Sequence, residues 1–96
     1  MYFVYEIVID GVRRYVGMTD NLKRRQSQHR RDLKVKPKYL YKMIRENSPE
    51  TTISLNVIKE YENKGDCIRW ECKMILDDYF GEKMLWQSFP ISVKYF

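Results

Sequence analysis

Residues 2–17, YFVYEIVIDGVRRYVG, constrain the fold more than any other part of the chain. β-Branched and aromatic residues flank Asp10-Gly11, a dipeptide that favours the left-handed backbone of tight hairpin turns. Two registers are open. A two-residue loop pairs Ile9 with Val12 and puts Tyr5 and Tyr15 on opposite faces. A three-residue loop, Ile9-Asp10-Gly11 with Gly11 left-handed, pairs Val8 with Val12. It sets Tyr5 opposite Tyr15 and Glu6 opposite Arg14, and gathers Val4, Val8, Val12 and Val16 on one face. The second register is expected, because opposite charges and like-sized apolar groups meet in it.

Downstream, the hydrophobic period changes. A helix is expected from about Asn21 to Val35, capped by Thr19 or Asp20 and stopped by Pro37. Residues 38–47, KYLYKMIREN, predict a short second helix with Leu40, Met43 and Ile44 inward. In TTISLNVIKEY (51–61), Ile53, Leu55 and Val57 alternate with polar residues, the pattern of a strand. A third helix is expected over about 66–80, with Gly81 as its stop. The order ββααβα predicts one small α/β domain, a three-stranded sheet flanked by helices, over residues 1–96. The aromatic tail (84–96), carrying Trp86, Phe89, Tyr95 and Phe96, is expected to cover this core, with a homodimer contact as the alternative.

Charge narrows the function. Residues 1–48 hold 12 Lys/Arg against 5 Asp/Glu, net +7, and residues 49–96 hold 6 against 8, net −2. So lopsided a field points to a polyanionic partner, nucleic acid first. An anionic membrane fits poorly, since the basic segment offers no apolar face to insert. No run of about 18 apolar residues or signal-peptide layout occurs, so a soluble, cytoplasmic protein is expected. Cys67 and Cys72 lack redox or zinc spacing and read as buried thiols, and a lone His29 cannot anchor a zinc site.

The two longer helices carry polar residues where leucines would serve. Positions 22, 25, 26, 29 and 33 share a face, so Leu22 and Leu33 frame Arg25 and His29 on the side turned to the hairpin. An inward cation needs a partner, unless its stem packs on the core and its head reaches water. In the third helix the apolar stripe Ile68, Cys72, Ile75 and Tyr79 has Glu71 beside it, as a partner for an Arg or as a metal ligand. Metal-assisted phosphodiester hydrolysis can use such a set. A carboxylate holds a hard cation such as Mg²⁺, a guanidinium pairs with phosphate, and a phenol or imidazole takes water's proton. A tyrosine, with an ordinary pKa of about 10, needs a neighbouring cation to serve as base.

These residues resemble the GIY-YIG nuclease family. Phe3-Val4-Tyr5 stands for its first motif, with Phe3 in place of Gly, and Tyr15-Val16-Gly17 for its second. Thr19, Asn21, Leu22, Arg25 and His29 follow in register, Glu71 matches the family's helical glutamate, and no Asn follows it near the domain's end. The resemblance implies a compact nuclease that cuts DNA with one Mg²⁺ (or Mn²⁺) per site, leaving 5′-phosphate and 3′-hydroxyl ends. It implies that Glu71 holds the metal and Arg25 the scissile phosphate. Tyr5 and Tyr15, aided by His29, would position and deprotonate water. Gly17 would allow close backbone approach, and Lys23, Arg24, Arg30, Arg31 and Lys34 would meet the DNA backbone.

Overall fold

The computed structural model describes residues 1–80 with Leu85 and Trp86. In it, β1 (Tyr2–Ile9) and β2 (Val12–Thr19) form the hairpin, followed by α1 (Leu22–Asp32), α2 (Tyr39–Asn47), β3 (Asn56–Tyr61) and α3 (Lys64–Phe80). The element order is the expected ββααβα. The sheet is antiparallel in the order β2-β1-β3, which makes β1 the central strand.

The hairpin corrects the expected register. Asp10 (φ 53°) and Gly11 (φ 80°) are both left-handed, so the loop has two residues and Ile9 faces Val12. Two successive left-handed residues make a turn that matches the right-handed twist of its strands. By itself it would split the tyrosines between faces. An irregularity between Ile7 and Val8 prevents this: Val8 pairs with Arg13 and Ile7 with Tyr15, leaving Arg14 as the extra residue of a β-bulge. The bulge reverses the alternation once. Tyr15 and Gly17 therefore share the face of Tyr5 and Ile7, with Tyr5 opposite Gly17 and Tyr15 on the diagonal. Glu6 pairs with Arg13 at 2.8 Å instead of Arg14, whose guanidinium lies 4.5 Å from the centre of the Trp86 ring. Val12, expected on the apolar face, is exposed.

Because β1 is central, both its faces are covered. On one, Tyr5, Ile7 and Ile9 pack with Leu40, Tyr41 and Ile44 of α2, with Ile53 and Trp86, and with Leu22 and Leu33 at the two ends of α1. On the other, Val4 and Val16 meet Cys67 and Ile75 of α3, and Leu85. The described part of the aromatic tail is thus spent on the core; Phe89, Tyr95 and Phe96 lie outside the described residues. Both cysteines are buried and free.

Element ends differ from expectation in four places; α1, for one, stops at Asp32, short of Val35, and passes into turns. The cap of α1 is Asn21, whose side chain accepts from the Arg24 N–H at 3.0 Å, while Thr19 braces the Asn21 backbone instead of capping. β3 starts at Asn56, not near residue 51. The preceding segment is tied to α1 by side chains: Arg30 Nε donates to the Ile53 carbonyl (2.9 Å), and the Leu55 N–H donates to Gln26 (3.0 Å). A second register shift, between Val4 and Tyr5, leaves Val57 exposed and brings Ile58 to the α3-side core. α3 begins at Lys64, two residues early, because Asn63 Oδ1 accepts from the Gly65 and Asp66 N–H groups. The side chain of Tyr79 and the expected stop at Gly81 lie outside the described residues.

Candidate active site

Gly17 decides how the tyrosines sit. A Cβ there would lie 2.5 Å from the Tyr5 ring and hydroxyl and 2.9 Å from the Tyr15 ring. The absent side chain lets both rings lie across β2, stacked with centroids 6.2 Å apart. What approaches the Gly17 backbone is therefore this pair of phenols.

α1 lays its polar stripe over them. His29, 1 % exposed, stands edge-on to Tyr5, Tyr15 and Tyr41. Its Nε2 is 2.8 Å from the Tyr5 hydroxyl and its Nδ1 2.8 Å from the Tyr41 hydroxyl. One turn earlier, Arg25 donates from Nε to the Tyr5 hydroxyl (3.3 Å) and from Nη1 to Gln28 Oε1 (2.9 Å). One chain of donors satisfies every member. Arg25 gives to Tyr5, the Tyr5 O–H to Nε2, and the Nδ1–H of neutral His29 to Tyr41. Burial first, then the charges of Arg25 and Lys38, push the His29 pKa down to about 4, so the imidazole is neutral near pH 7. The inward arginine and histidine are thus parts of one buried polar network, which explains their place among leucines.

Tyr5 is fully buried. Its phenol is pushed well above the ordinary range by burial and by Tyr15, against the pull of Arg25. At Tyr5, desolvation outweighs the pull of the one guanidinium beside it. Tyr5 keeps its proton. Tyr15 is more accessible, with Lys38 Nζ donating to its hydroxyl at 3.2 Å.

Glu71 reaches the site from α3. Burial lifts its pKa to about 7, opposed only by Arg25, and its charge in turn acts on Tyr5. Among the described residues it makes no hydrogen bond and no ion pair within 4.0 Å. The reading of Glu71 as the structural partner of Arg25 is not supported; Arg25 turns instead to Tyr5 and Gln28. A half-buried carboxylate without a partner suits a cation. No three His, Cys, Asp or Glu side chains gather among the described residues. The protein's share of a cation site here would be one carboxylate, which would suit Mg²⁺ or Mn²⁺ completed by water and phosphate oxygens.

The other basic residues divide. Arg24 and Arg25 line a cleft of about 340 Å³ with Gln28 and Lys64. Arg30, Arg31 and Lys34 line a second hollow, about 620 Å³, against residues 51–53. Lys23 is exposed and lines neither. Sequence reasoning missed Lys38, Tyr41 and Gln28. Tyr41 was within reach, three residues before Ile44 on the buried stripe of α2. Lys38 sits between helices, where periodicity gives no signal.

No curated protein and no solved structure matches the chain. The catalytic-domain model of one nuclease family does, over residues 1–79, with Tyr5, Tyr15, Gly17, Arg25, His29 and Glu71 inside the match. The chain belongs to the GIY-YIG family.

Proposed function

We propose that this chain is a divalent-metal-dependent DNA endonuclease that hydrolyses phosphodiester bonds to 5′-phosphate and 3′-hydroxyl ends. The observation that carries the reading is the meeting of a buried Arg25–Tyr5–His29–Tyr41 chain with an unpartnered Glu71, beside a basic cleft.

Each group has a task that its surroundings suit. Arg25 donates from Nε to Tyr5 and from Nη1 to Gln28 and is also hydrogen-bonded to Tyr15, which fixes its plane for donation to a phosphate oxygen. Positive charge held there before reaction stabilises the negative charge that phosphorus gains in the transition state. Tyr5, fully buried with its hydroxyl held between Arg25 and His29, orients the Arg25 guanidinium, and His29 fixes that hydroxyl. Tyr15, the more accessible phenol, takes the water's proton. A hard divalent cation on Glu71, when bound, supplies further charge against the phosphate. Arg24 extends the phosphate contact along the cleft, while Lys23, Arg30, Arg31 and Lys34 add charge that pulls DNA towards α1.

One chain offers one such set and so cuts one strand at a time; a double-strand break takes two copies or two events. Supercoiled plasmid incubated with the protein is expected to become nicked in Mg²⁺ and to stay intact in EDTA. Glu71→Ala and Arg25→Ala should each abolish nicking while binding at low salt persists. Wild-type protein that binds DNA without nicking it would make the chain a binding module that kept the fold.

A further inference from the structure

Lys38 stands where no helix or strand periodicity would place a functional residue, yet its side chain is closely directed. Pro37 fixes the backbone before it, and Lys38 is the N-cap of α2. Its carbonyl accepts from the Lys42 N–H, but its side chain takes no part in capping. It folds back over the tyrosines instead. The ammonium lies 4.8 Å from the Tyr15 ring centre and 5.8 Å from that of Tyr41, and donates to the Tyr15 hydroxyl at 3.2 Å. Among the described residues it has no carboxylate partner within 4.0 Å, so its charge is directed at Tyr15.

The two phenols are therefore treated differently. Tyr5 lies between Arg25 and His29 with no exposed surface. Tyr15 faces Tyr5 from β1, Arg25 and His29 from α1, and Tyr41 from α2; Lys38 donates to its oxygen, which Arg25 also approaches as a donor. An ammonium at that distance favours negative charge on the oxygen it touches. We propose that Lys38 is a positioning residue of the reaction, holding the Tyr15 oxygen in place and favouring it as the acceptor of the attacking water's proton. This deepens the nuclease reading and rests on it. In the step, the water oxygen bonds to phosphorus and its proton passes to the ionised Tyr15 oxygen. The phosphorus–O3′ bond breaks, and the departing oxygen takes a proton from solvent. Lys38 neither gains nor loses one.

Two measurements test this. In Mg²⁺-dependent cleavage, Lys38→Met should lower kcat about 10- to 100-fold, the scale of a misplaced proton acceptor, with KM changed less than about threefold. Its rate should climb at higher pH than the wild type's, and Lys38→Arg should recover most of the loss. In a Tyr15→Phe background, Lys38→Met should cost less than about twofold, since the two side chains act as a unit. A raised KM with an unchanged pH profile would make Lys38 only a phosphate tether. An equal loss with or without the Tyr15 hydroxyl would also overturn the proposal. Independently of cleavage, the Tyr15 ring-carbon NMR signal of metal-free protein, assigned with Tyr15→Phe, can be followed against pH. Its transition should move upward in Lys38→Met and return in Lys38→Arg. Identical curves in all three proteins would refute the role of Lys38 even if the wild type cuts DNA. A wild type that never cuts would count against the nuclease reading instead.

Discussion

Replacing Glu71 with Gln removes a negative charge and little volume, and the structure gives the sign and size of the consequence. The carboxyl ionises near 4.5 when solvated and at about 7 in the fold, because burial outweighs the attraction of Arg25. Above pH 7 the folded protein holds an ion that the unfolded chain would hold more easily. At about 1.4 kcal/mol per tenfold, the cost approaches about 3 kcal/mol, and local relaxation trims it to roughly 1–3 kcal/mol. A group with a raised folded pKa favours folding most below its unfolded pKa, and that advantage is lost as pH climbs through 7. Glu71→Gln should therefore be more stable than wild type by roughly 1–3 kcal/mol near pH 8, and about equal to it near pH 4. His29 acts in the opposite direction over nearly the same window. Its pKa, lowered to about 4, makes the fold gain stability as pH rises towards 6.5. In the wild type these two contributions nearly cancel, and only the difference between the two proteins isolates Glu71. Urea denaturation without metal, at about pH 4, 6 and 8, measures it. Millimolar Mg²⁺ should then stabilise the wild type near pH 8 and leave Glu71→Gln unchanged. A variant less stable than wild type near pH 8 would show that the carboxylate is a structural partner, and would refute the reasoning.

The remaining expectations concern the groups around it. Gly17→Ala should cost about 2 kcal/mol in chemical denaturation and lower the cleavage rate, because a Cβ 2.5 Å from Tyr5 forces the rings apart. Tyr41→Phe leaves His29 Nδ1 without its partner and should cost about 1 kcal/mol, with a lower kcat at unchanged KM. At subsaturating Mg²⁺, cleavage should rise with pH through about 7 as Glu71 loses the proton that competes with the metal, with no inflection from His29 above about pH 5.

How much of this was legible beforehand follows from which interactions are local. Helical spacing put Arg25 and His29 beneath Leu22 and Leu33, and those positions hold because 3.6-residue periodicity is a property of one segment. The hairpin register is where two local rules conflict. Charge and size pairing favoured a three-residue loop, whereas Asp10-Gly11 favoured a two-residue one. The structure satisfies both turn and tyrosines by spending Arg14 on a bulge, which no pairing rule within the hairpin specifies. β3 is shorter than its alternation suggests for a similar reason. Residues 51–55 alternate like a strand, but Gln26 and Arg30 of α1, distant in sequence, take their backbone groups. Lys38 and the His29–Tyr41 bond depend on how α2 docks, a tertiary fact without a sequence period. Glu71 could be noticed on its helix, but its lack of a partner could not.

Crystals grown with a non-cleavable phosphorothioate duplex and soaked in Mn²⁺ would put the cation, the phosphate and the side chains into one experiment. An anomalous peak should appear against the Glu71 carboxylate, with the same phosphate bonded by Arg25 and within reach of the Tyr15 hydroxyl. Glu71 found turned onto Arg25 in a closed ion pair, with no manganese beside it and the DNA lying elsewhere, would contradict a shared catalytic centre.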